Sequence, residues 1–256
     1  MLVYAAHLPH SPALLRNINK SKLALFKKTK NAVAEIAADL YARQINTIVF
    51  ITPHATGEEK AFVAHFAPAY KVDLSAVGDF SIGQTLSGDS VLAHRIVDRL
   101  CLNWPIKTSA SVQLDTAASA VMLQINHPEK SFAILPLTYA LLPSRELYGF
   151  GRDLREILEN CQTRVAIISL GDLSRAKGKN TENAEEWDEE LIHNLNAKNT
   201  DSILDVDFSK VDSFSMCGWR PLVMLLGVLS EVNYKVDILS YQQRFGVGMG
   251  VMRFIF

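Results

Sequence analysis

Two histidines near the start of the chain each follow a proline at the end of an apolar segment. Pro9-His10 closes a segment that begins MLVYAA, and Pro53-His54 comes directly after TIVFIT. Imidazole is a ligand for Fe, Zn, Cu and Ni, so the pair predicts a mononuclear metal site if the two corners meet in the fold. The alternative is that each histidine only ends its strand and bonds to backbone atoms.

Both corners are expected at the same edge of a β-sheet. The run 47–52 is apolar, β-branched and too short for a helix, which indicates a buried strand. Residues 20–42 carry apolar side chains at helical spacing and connect the first strand to this one. The three segments therefore predict a βαβ unit with a right-handed crossover. In open α/β sheets ligands bind at the carboxyl ends of the strands, where His10 and His54 would lie.

A third buried strand, residues 164–170 (RVAIISL), should end at this edge and is followed by GDLSR. In that segment Asp172 is expected to orient a histidine, to bind metal or only to cap a turn. Arg175 is expected to bind an anionic group of a substrate or to lie on the surface. Cys217 opens a helix expected over 217–232, where a thiol pKa is lowered, so it is a candidate thiolate ligand. The alternative for Cys217 is a buried, inert thiol.

The rest of the chain predicts further strands and helices without a break between domains. We expect one large α/β domain with no internal repeat. Residues 201–207 are expected to form a short acidic linker. Additional strands are expected at 62–70, 70–74, 106–109, 132–138, 235–241 and 247–256, and additional helices at 87–100, 115–125 and 144–160.

Composition excludes several classes of function. The 256 residues are 48% hydrophobic and 21% charged with a formal net charge of −1, which argues against a nucleic-acid or anionic-membrane surface. The N-terminal segment lacks a basic region, and no apolar run approaches the roughly 20 residues of a membrane span. Three widely spaced cysteines argue against a disulfide framework, so a cytoplasmic location is expected.

Six short motifs in a fixed order carry a resemblance to a known family. They resemble the LigB-type family of class III extradiol ring-cleavage dioxygenases, and in particular its branch related to the Memo proteins. The motifs run from the first strand to the last and are His7-Leu-Pro-His10-Ser-Pro12, Ile51-Thr-Pro-His54-Ala55, Gly78-Asp-Phe-Ser81, Ser169-Leu-Gly-Asp-Leu-Ser174, Cys217-Gly218, and Leu239-Ser-Tyr241 with Phe245-Gly-Val-Gly248.

The resemblance implies a fold and a set of ligands. The fold would be a single α/β domain over residues 1–256, with a central mixed, mostly parallel sheet flanked by helices on both faces. His10 and His54 match the two histidine ligands of the family's non-haem Fe(II), and Cys217 matches a cysteine ligand of the Memo-like members. Cu or Zn are alternatives to iron, as is a metal-free protein. The implied substrates are a small catechol-type aromatic compound and O2.

The sequence departs from the family at three further positions. Arg175 stands where a base histidine closes the motif, Asp115 stands in a stretch where a second histidine is expected, and Met216 replaces a carboxylate ligand. Arginine stays protonated, and losing a positioned acid/base group typically costs about 10²–10⁴-fold in rate. Asp115, Asp172 or Arg175 would then take the acid/base and substrate-anchoring roles.

Three functions are therefore weighed for this chain. The first is a dioxygenase-like enzyme whose acid/base histidines are replaced. The second is a non-catalytic partner subunit of this family, and the third is a Memo-like metal-binding redox protein. A homo-oligomer or a homologous partner subunit is expected, and neither nucleic acid nor a membrane.

Overall fold

The computed structural model describes residues 1–54, 60–81, 83–126, 132–176 and 181–256, with the side chains of residues 181 and 182 omitted. Within these residues, the strands are β1 Leu2–Leu8, β2 Thr47–Ile51, β3 Phe62–His65, β4 Ala69–Lys71, β5 Thr85–Ser87, β6 Ile106–Ser109, β7 Ala133–Thr138, β8 Val165–Leu170, β9 Lys235–Arg244 and β10 Val247–Ile255. Eight of them form one sheet, and β4 and β5 form a separate two-stranded ribbon.

The large sheet has the strand order β6-β3-β7-β2-β8-β1-β10-β9. Strands β7, β2, β8 and β1 run parallel and form its centre, while β3 and β10 are antiparallel to their neighbours in this centre. Strand β8 lies between β1 and β2, and the register pairs Leu8 with Leu170 and Ile51 with Ser169. The segments that follow these three strands therefore start from one edge of the sheet.

Helices cover both faces of the sheet, so the side chains of each central strand are buried on both sides. The helices are α1 Lys27–Ala42, α2 Ser90–Leu100, α3 Thr116–Ile125, α4 Ser144–Glu159, α5 Thr181–Asn196, α6 Thr200–Leu204, α7 Phe208–Ser213 and α8 Trp219–Val228. In β2, Ile48 and Phe50 pack with α1 and α3, and Val49 and Ile51 pack in the core that includes α2, α4, α5 and α8. The expected fold class, a mixed and mostly parallel sheet between helices, is confirmed.

Among the described residues, no helix is both long enough and apolar enough to cross a membrane.

Several element boundaries differ from expectation for local reasons. The segment 62–70 is two strands rather than one, because Pro68 has no backbone N–H for the ladder and separates β3 from β4. Helix α2 begins at Ser90, since the Asp89 carboxylate accepts a hydrogen bond from Leu92 N at 2.9 Å and caps it. Helix α1 begins at Lys27, after a short 3-10 turn.

The expectation of a linker at 201–207 is wrong. Residues 200–204 form α6, and the Asp207 side chain accepts from Ser209 N at 2.7 Å and caps α7. The helix expected over 217–232 is shorter at both ends and spans Trp219–Val228 as α8.

Candidate metal centre

His10 lies at the centre of a cluster of three side chains beyond the carboxyl ends of β1 and β2. The residue is buried, and its Nε2 is 3.2 Å from Nε2 of His54 and 3.1 Å from Sγ of Cys217. The two imidazole rings are nearly perpendicular, with centroids 4.8 Å apart. The two Pro-His corners therefore meet in the fold, which their spacing in the sequence could not establish.

Two glycines allow Cys217 to reach this cluster. A Cβ on Gly171, which follows β8 with a φ of +155°, would lie 2.1 Å from Cα of Gly218. Gly218 in turn donates its N–H to the carbonyl oxygen of Asp172 at 3.0 Å. Because both positions lack a side chain, the loop after β8 and the start of α8 approach closely and present Cys217 to His10.

The three side chains fit a transition-metal ion. One ligand atom from each of His10, His54 and Cys217 lies within 4.8 Å of the others. In a tetrahedral site, bond lengths of about 2.0–2.1 Å to nitrogen and 2.3 Å to sulfur place neighbouring donors roughly 3.3–3.6 Å apart. The observed separations of 3.1 and 3.2 Å are close to this spacing. The role of these residues as metal ligands stays a prediction.

Charges in the cluster favour a thiolate. Burial alone would raise the pKa of the Cys217 thiol, but hydrogen bonds with His10 and His54 outweigh it and lower the pKa to about 7. Burial alone would lower the pKa of His10, but the charges of Asp172 and Cys217 outweigh it and raise the pKa to about 9. The thiolate is the form of cysteine that binds metal, so a lowered pKa is what the prediction of Cys217 as a ligand requires.

Asp172 and Arg175 lie beside the cluster. Asp172 is fully buried, and its Oδ2 is 3.9 Å from Nε2 of His10 and accepts a hydrogen bond from an Arg175 terminal nitrogen at 3.1 Å. Its other oxygen, Oδ1, has no partner among the described residues. Arg175 is half exposed, so its guanidinium lies between the buried Asp172 carboxylate and solvent.

Asp115 lies near the cluster but is engaged in capping. One carboxylate oxygen accepts from Ala118 N at 3.0 Å and caps α3, and the other accepts from the Thr52 hydroxyl at 2.8 Å. Thr52 is two residues before His54, so Asp115 holds the end of this strand. The catalytic role expected for Asp115 stays a prediction.

His7 packs against the segment that carries Cys217. Its Nδ1 is 2.9 Å from the Ser169 hydroxyl on the neighbouring strand β8. Its ring packs against Gly218, since a Cβ on that glycine would lie only 3.1 Å from Cε1 of His7. Burial lowers the pKa of His7 to about 4, although the charge of Asp172 acts in the opposite direction. We infer that His7 is neutral at physiological pH and packs beneath the segment that carries Cys217.

Three residues that contact the site's motifs or one another carried no signal in the sequence. Asp188 on α5 is buried and accepts hydrogen bonds from Ser174 and Tyr241, which belong to two of the motifs. Tyr139 follows β7, and its hydroxyl is 3.5 Å from the carbonyl oxygen of Pro53, beside His54. Arg220 packs against Tyr139 from the first turn of α8. The sequence motifs include Ser174 and Tyr241 but do not indicate that both contact Asp188.

Comparison with known proteins gives three findings. A family model described as the catalytic LigB subunit of aromatic ring-opening dioxygenase matches residues 4–252. Protein CA_C1420 of Clostridium acetobutylicum is 31% identical over 265 residues, which cover 96% of this chain and 56% of that protein. The chain therefore spans little more than half the length of this curated relative. The crystal structure of uncharacterized protein JW3007 from Escherichia coli K12 matches with a TM-score of 0.67 and 13% identity, over 99% of this chain and 100% of that one, which shows a shared fold.

Proposed function

The chain belongs to the family of the catalytic LigB subunit of aromatic ring-opening dioxygenase, and from that premise we propose that it is a metal-dependent oxidoreductase acting on a small aromatic substrate with O2. Membership supports an extradiol-dioxygenase-like or related function. The observation that carries the proposal for this chain is the convergence of His10, His54 and Cys217 at the carboxyl edge of the sheet. Ligand-binding sites of open α/β folds lie at this edge.

His10, His54 and Cys217 would hold the metal. When bound, the metal supplies a Lewis-acid and redox centre for a phenolic oxygen and O2. Two imidazoles suit the Fe(II) of the ring-opening enzymes, and the thiolate, a softer ligand than a carboxylate, also suits Cu or Zn. The described side chains of the cluster are therefore compatible with each of these metals.

The groups around the ligands would orient them and the substrate. Asp172 lies 3.9 Å from Nε2 of His10, so its negative charge would act on the ligand nitrogen, and its unpartnered Oδ1 would offer an acceptor for a proton-bearing group near the metal. Arg175 stays protonated, so it cannot act as a base, but it can bind a substrate oxygen that becomes anionic. Asp115 would position His54 through Thr52.

An oxygen-uptake experiment tests the proposed reaction. Protein purified anaerobically and loaded with Fe(II) is mixed with catechol, and O2 consumption and the absorbance of a ring-opened product are followed. We expect uptake in the wild-type protein and in His94→Ala, whose side chain is exposed on α2, but not in His54→Ala. Uptake that is unchanged in His54→Ala would overturn the assignment of the site.

The position of Arg175 favours a second function, that of a non-catalytic partner subunit. Its guanidinium occupies the place at the end of the GDLS motif where the family resemblance implies a base, and it is bound to Asp172. Members of the family often form oligomers or subunit pairs. For this function we expect a stable complex with a histidine-complete homologue and no O2 uptake by the isolated chain. A Memo-like redox protein would instead take up Cu at the same three ligands.

A further inference from the structure

The segment 16–30 carries a positive charge that the protein leaves uncompensated. The sequence has no acidic residue before Glu35, and its cations in this segment are Arg16, Lys20, Lys22, Lys27, Lys28 and Lys30. All of them are exposed except Lys30, which is partly exposed. Among the described residues, none of these cations forms an ion pair with a carboxylate. The formal net charge of −1 for the whole chain therefore conceals a strongly basic surface.

Exposed apolar side chains lie in the middle of these cations. Phe245, at the tip of the β9–β10 hairpin, is 66% exposed, and Leu25 is 46% exposed. Lys22 Nζ lies 5.2 Å from the ring centroid of Phe245, and Arg244 Nε donates a hydrogen bond to the carbonyl oxygen of Leu25 at 3.3 Å. The segment 16–30 and the hairpin residues 244 and 245 thus form one surface, the basic–apolar patch. An apolar centre within a polar rim is the composition of a protein–protein interface.

Phe245 is an unfavourable residue for the turn in which it lies. Its φ is +54°, and the φ of Gly246 after it is +74°. Two-residue hairpin turns with positive φ at both positions favour Asn, Asp or Gly at the first, because a bulky side chain is strained there. Phe245 therefore costs stability through its backbone while its ring stays in contact with water. Residues that break a local rule in this way are expected at functional sites.

Helix α5 carries a surface of the opposite charge. Its residues Ala184, Trp187 and Leu191 are buried, and the exposed positions between them are all glutamates, namely Glu185, Glu186, Glu189 and Glu190. Among the described residues, only Glu190 of these four has a cationic partner, Lys210 at 3.8 Å. Like charges four residues apart on a helix repel each other by roughly 0.2–0.5 kcal/mol. A cationic surface placed against α5 would relieve this repulsion.

The two surfaces do not neutralise each other within one molecule. Helix α5 packs in the core on one face of the sheet through Trp187 and Leu191, and α1 packs in the core on the other face through Val33 and Ile36. No ion pair joins α5 to segment 16–30 within the described part of the chain. A second molecule, in contrast, can place its α5 against the patch of the first.

We propose that the basic–apolar patch binds α5 of a second copy of this chain in a head-to-tail contact. A second copy is the occupant that the charges favour, because its glutamates would meet the unpaired lysines of segment 16–30. Phe245 and Leu25 would lie at the centre of the contact and leave water. Two different surfaces meet, so the contact repeats from copy to copy and forms rings or chains of molecules. This inference is independent of the proposed function, because neither surface contains a residue of the metal centre.

Sedimentation velocity of the full chain, over a series of protein concentrations, tests the contact. In about 50 mM NaCl we expect the average mass to rise above that of the monomer as the concentration increases. In about 500 mM NaCl it should return to the monomer mass, because the screening length is then only about 4 Å. A wild-type protein that stays monomeric in the low-salt series would overturn the proposal.

Charge reversal identifies the two surfaces. Lys22→Glu with Lys27→Glu should weaken association at least about tenfold, and Glu186→Lys with Glu189→Lys should do the same, because like charges then face each other. A variant with all four changes has the charges exchanged, so its association should return. Unchanged association in either pair of changes, or a four-change variant that stays monomeric, would overturn the head-to-tail contact. Urea unfolding shows that each variant is folded.

Replacing Phe245 separates the contact from the fold. Phe245→Asn puts a residue that tolerates positive φ into the turn, so it should not lower the free energy of unfolding. It should still weaken association about tenfold, because the apolar centre of the interface is lost. The control Leu102→Asn, which removes an apolar side chain that is 86% exposed after α2, should leave association unchanged. Equal association of Phe245→Asn and the wild-type protein would contradict the role of the patch.

Discussion

Replacing Asp188 with asparagine should change how the stability of the protein depends on pH. The Asp188 carboxyl group is buried between α5 and the sheet, where it accepts hydrogen bonds from the Ser174 N–H at 2.9 Å, the Ser174 hydroxyl at 2.7 Å and the Tyr241 hydroxyl at 2.9 Å. Burial raises the pKa of Asp188 to about 6, although these hydrogen bonds act in the opposite direction.

The sign of the effect follows from proton binding in the two states. In the unfolded chain the carboxyl group has a pKa of 3.8, so between this pH and about 6 the folded protein keeps a proton that the unfolded chain has released. The free energy of unfolding therefore decreases as the pH rises through this window. At 1.36 kcal/mol per pKa unit, the whole window corresponds to about 3 kcal/mol.

Urea unfolding of metal-free protein at pH 4.5 and at pH 7.5 measures this difference. We expect the stability of the wild-type protein relative to Asp188→Asn to be about 2 kcal/mol greater at the lower pH, because asparagine does not titrate. The control is Asp205→Asn, which removes an exposed carboxylate paired with Arg145. An equal difference at both pH values would refute the reasoning, and a difference that grows with pH would show that the hydrogen bonds outweigh burial.

Two further substitutions test the packing and the chemistry of the site. Gly171→Ala should lower the free energy of unfolding by about 1–3 kcal/mol, because its Cβ would meet the backbone of Gly218 at 2.1 Å. Urea unfolding measures this loss. Gly83→Ala, at a position with open space around it, should lower the free energy of unfolding far less. Equal losses in the two variants would contradict the close approach of Gly171 and Gly218. Zinc at 100 times its dissociation constant should stabilise the wild-type protein by about 2.7 kcal/mol, as measured by thermal unfolding. Cys217→Ser should lose most of this stabilisation by zinc, because a serine hydroxyl is a weak ligand. The control Cys101→Ser, at an exposed position, should keep the stabilisation. If Cys217→Ser is stabilised by zinc as much as the wild-type protein, the thiolate is not part of the site.

The centre of the sheet was predictable because its strands are continuous apolar runs. Residues 47–52 and 164–170 are too short and too apolar for amphipathic helices, so a buried strand is the favoured structure for each. The Pro-His corners then indicated the edge at which a site would form. What the spacing could not show is that β8 lies between β1 and β2, or that His10 and His54 come within 3.2 Å of each other.

Other features depend on how distant segments pack and have no local signature. Asp188 is one of many charged residues in α5, and only the folded chain shows that it is buried against Ser174 and Tyr241. Tyr139 and Arg220 likewise become neighbours because β7 ends close to the place where α8 begins. The linker expected at 201–207 failed because α6 is stabilised by the burial of Ile203 and Leu204, whereas Asp207 caps the next helix, α7.

The metal content of the purified protein tests the central claim most directly. Protein purified anaerobically without chelator is analysed by elemental mass spectrometry beside His54→Ala and the control His94→Ala, whose imidazole is exposed on α2. We predict close to one equivalent of iron, copper or zinc in the wild-type protein and in His94→Ala, and its loss in His54→Ala. Absence of metal from the wild-type protein after reconstitution with Fe(II), Cu and Zn, or an equal content in His54→Ala, would contradict the account.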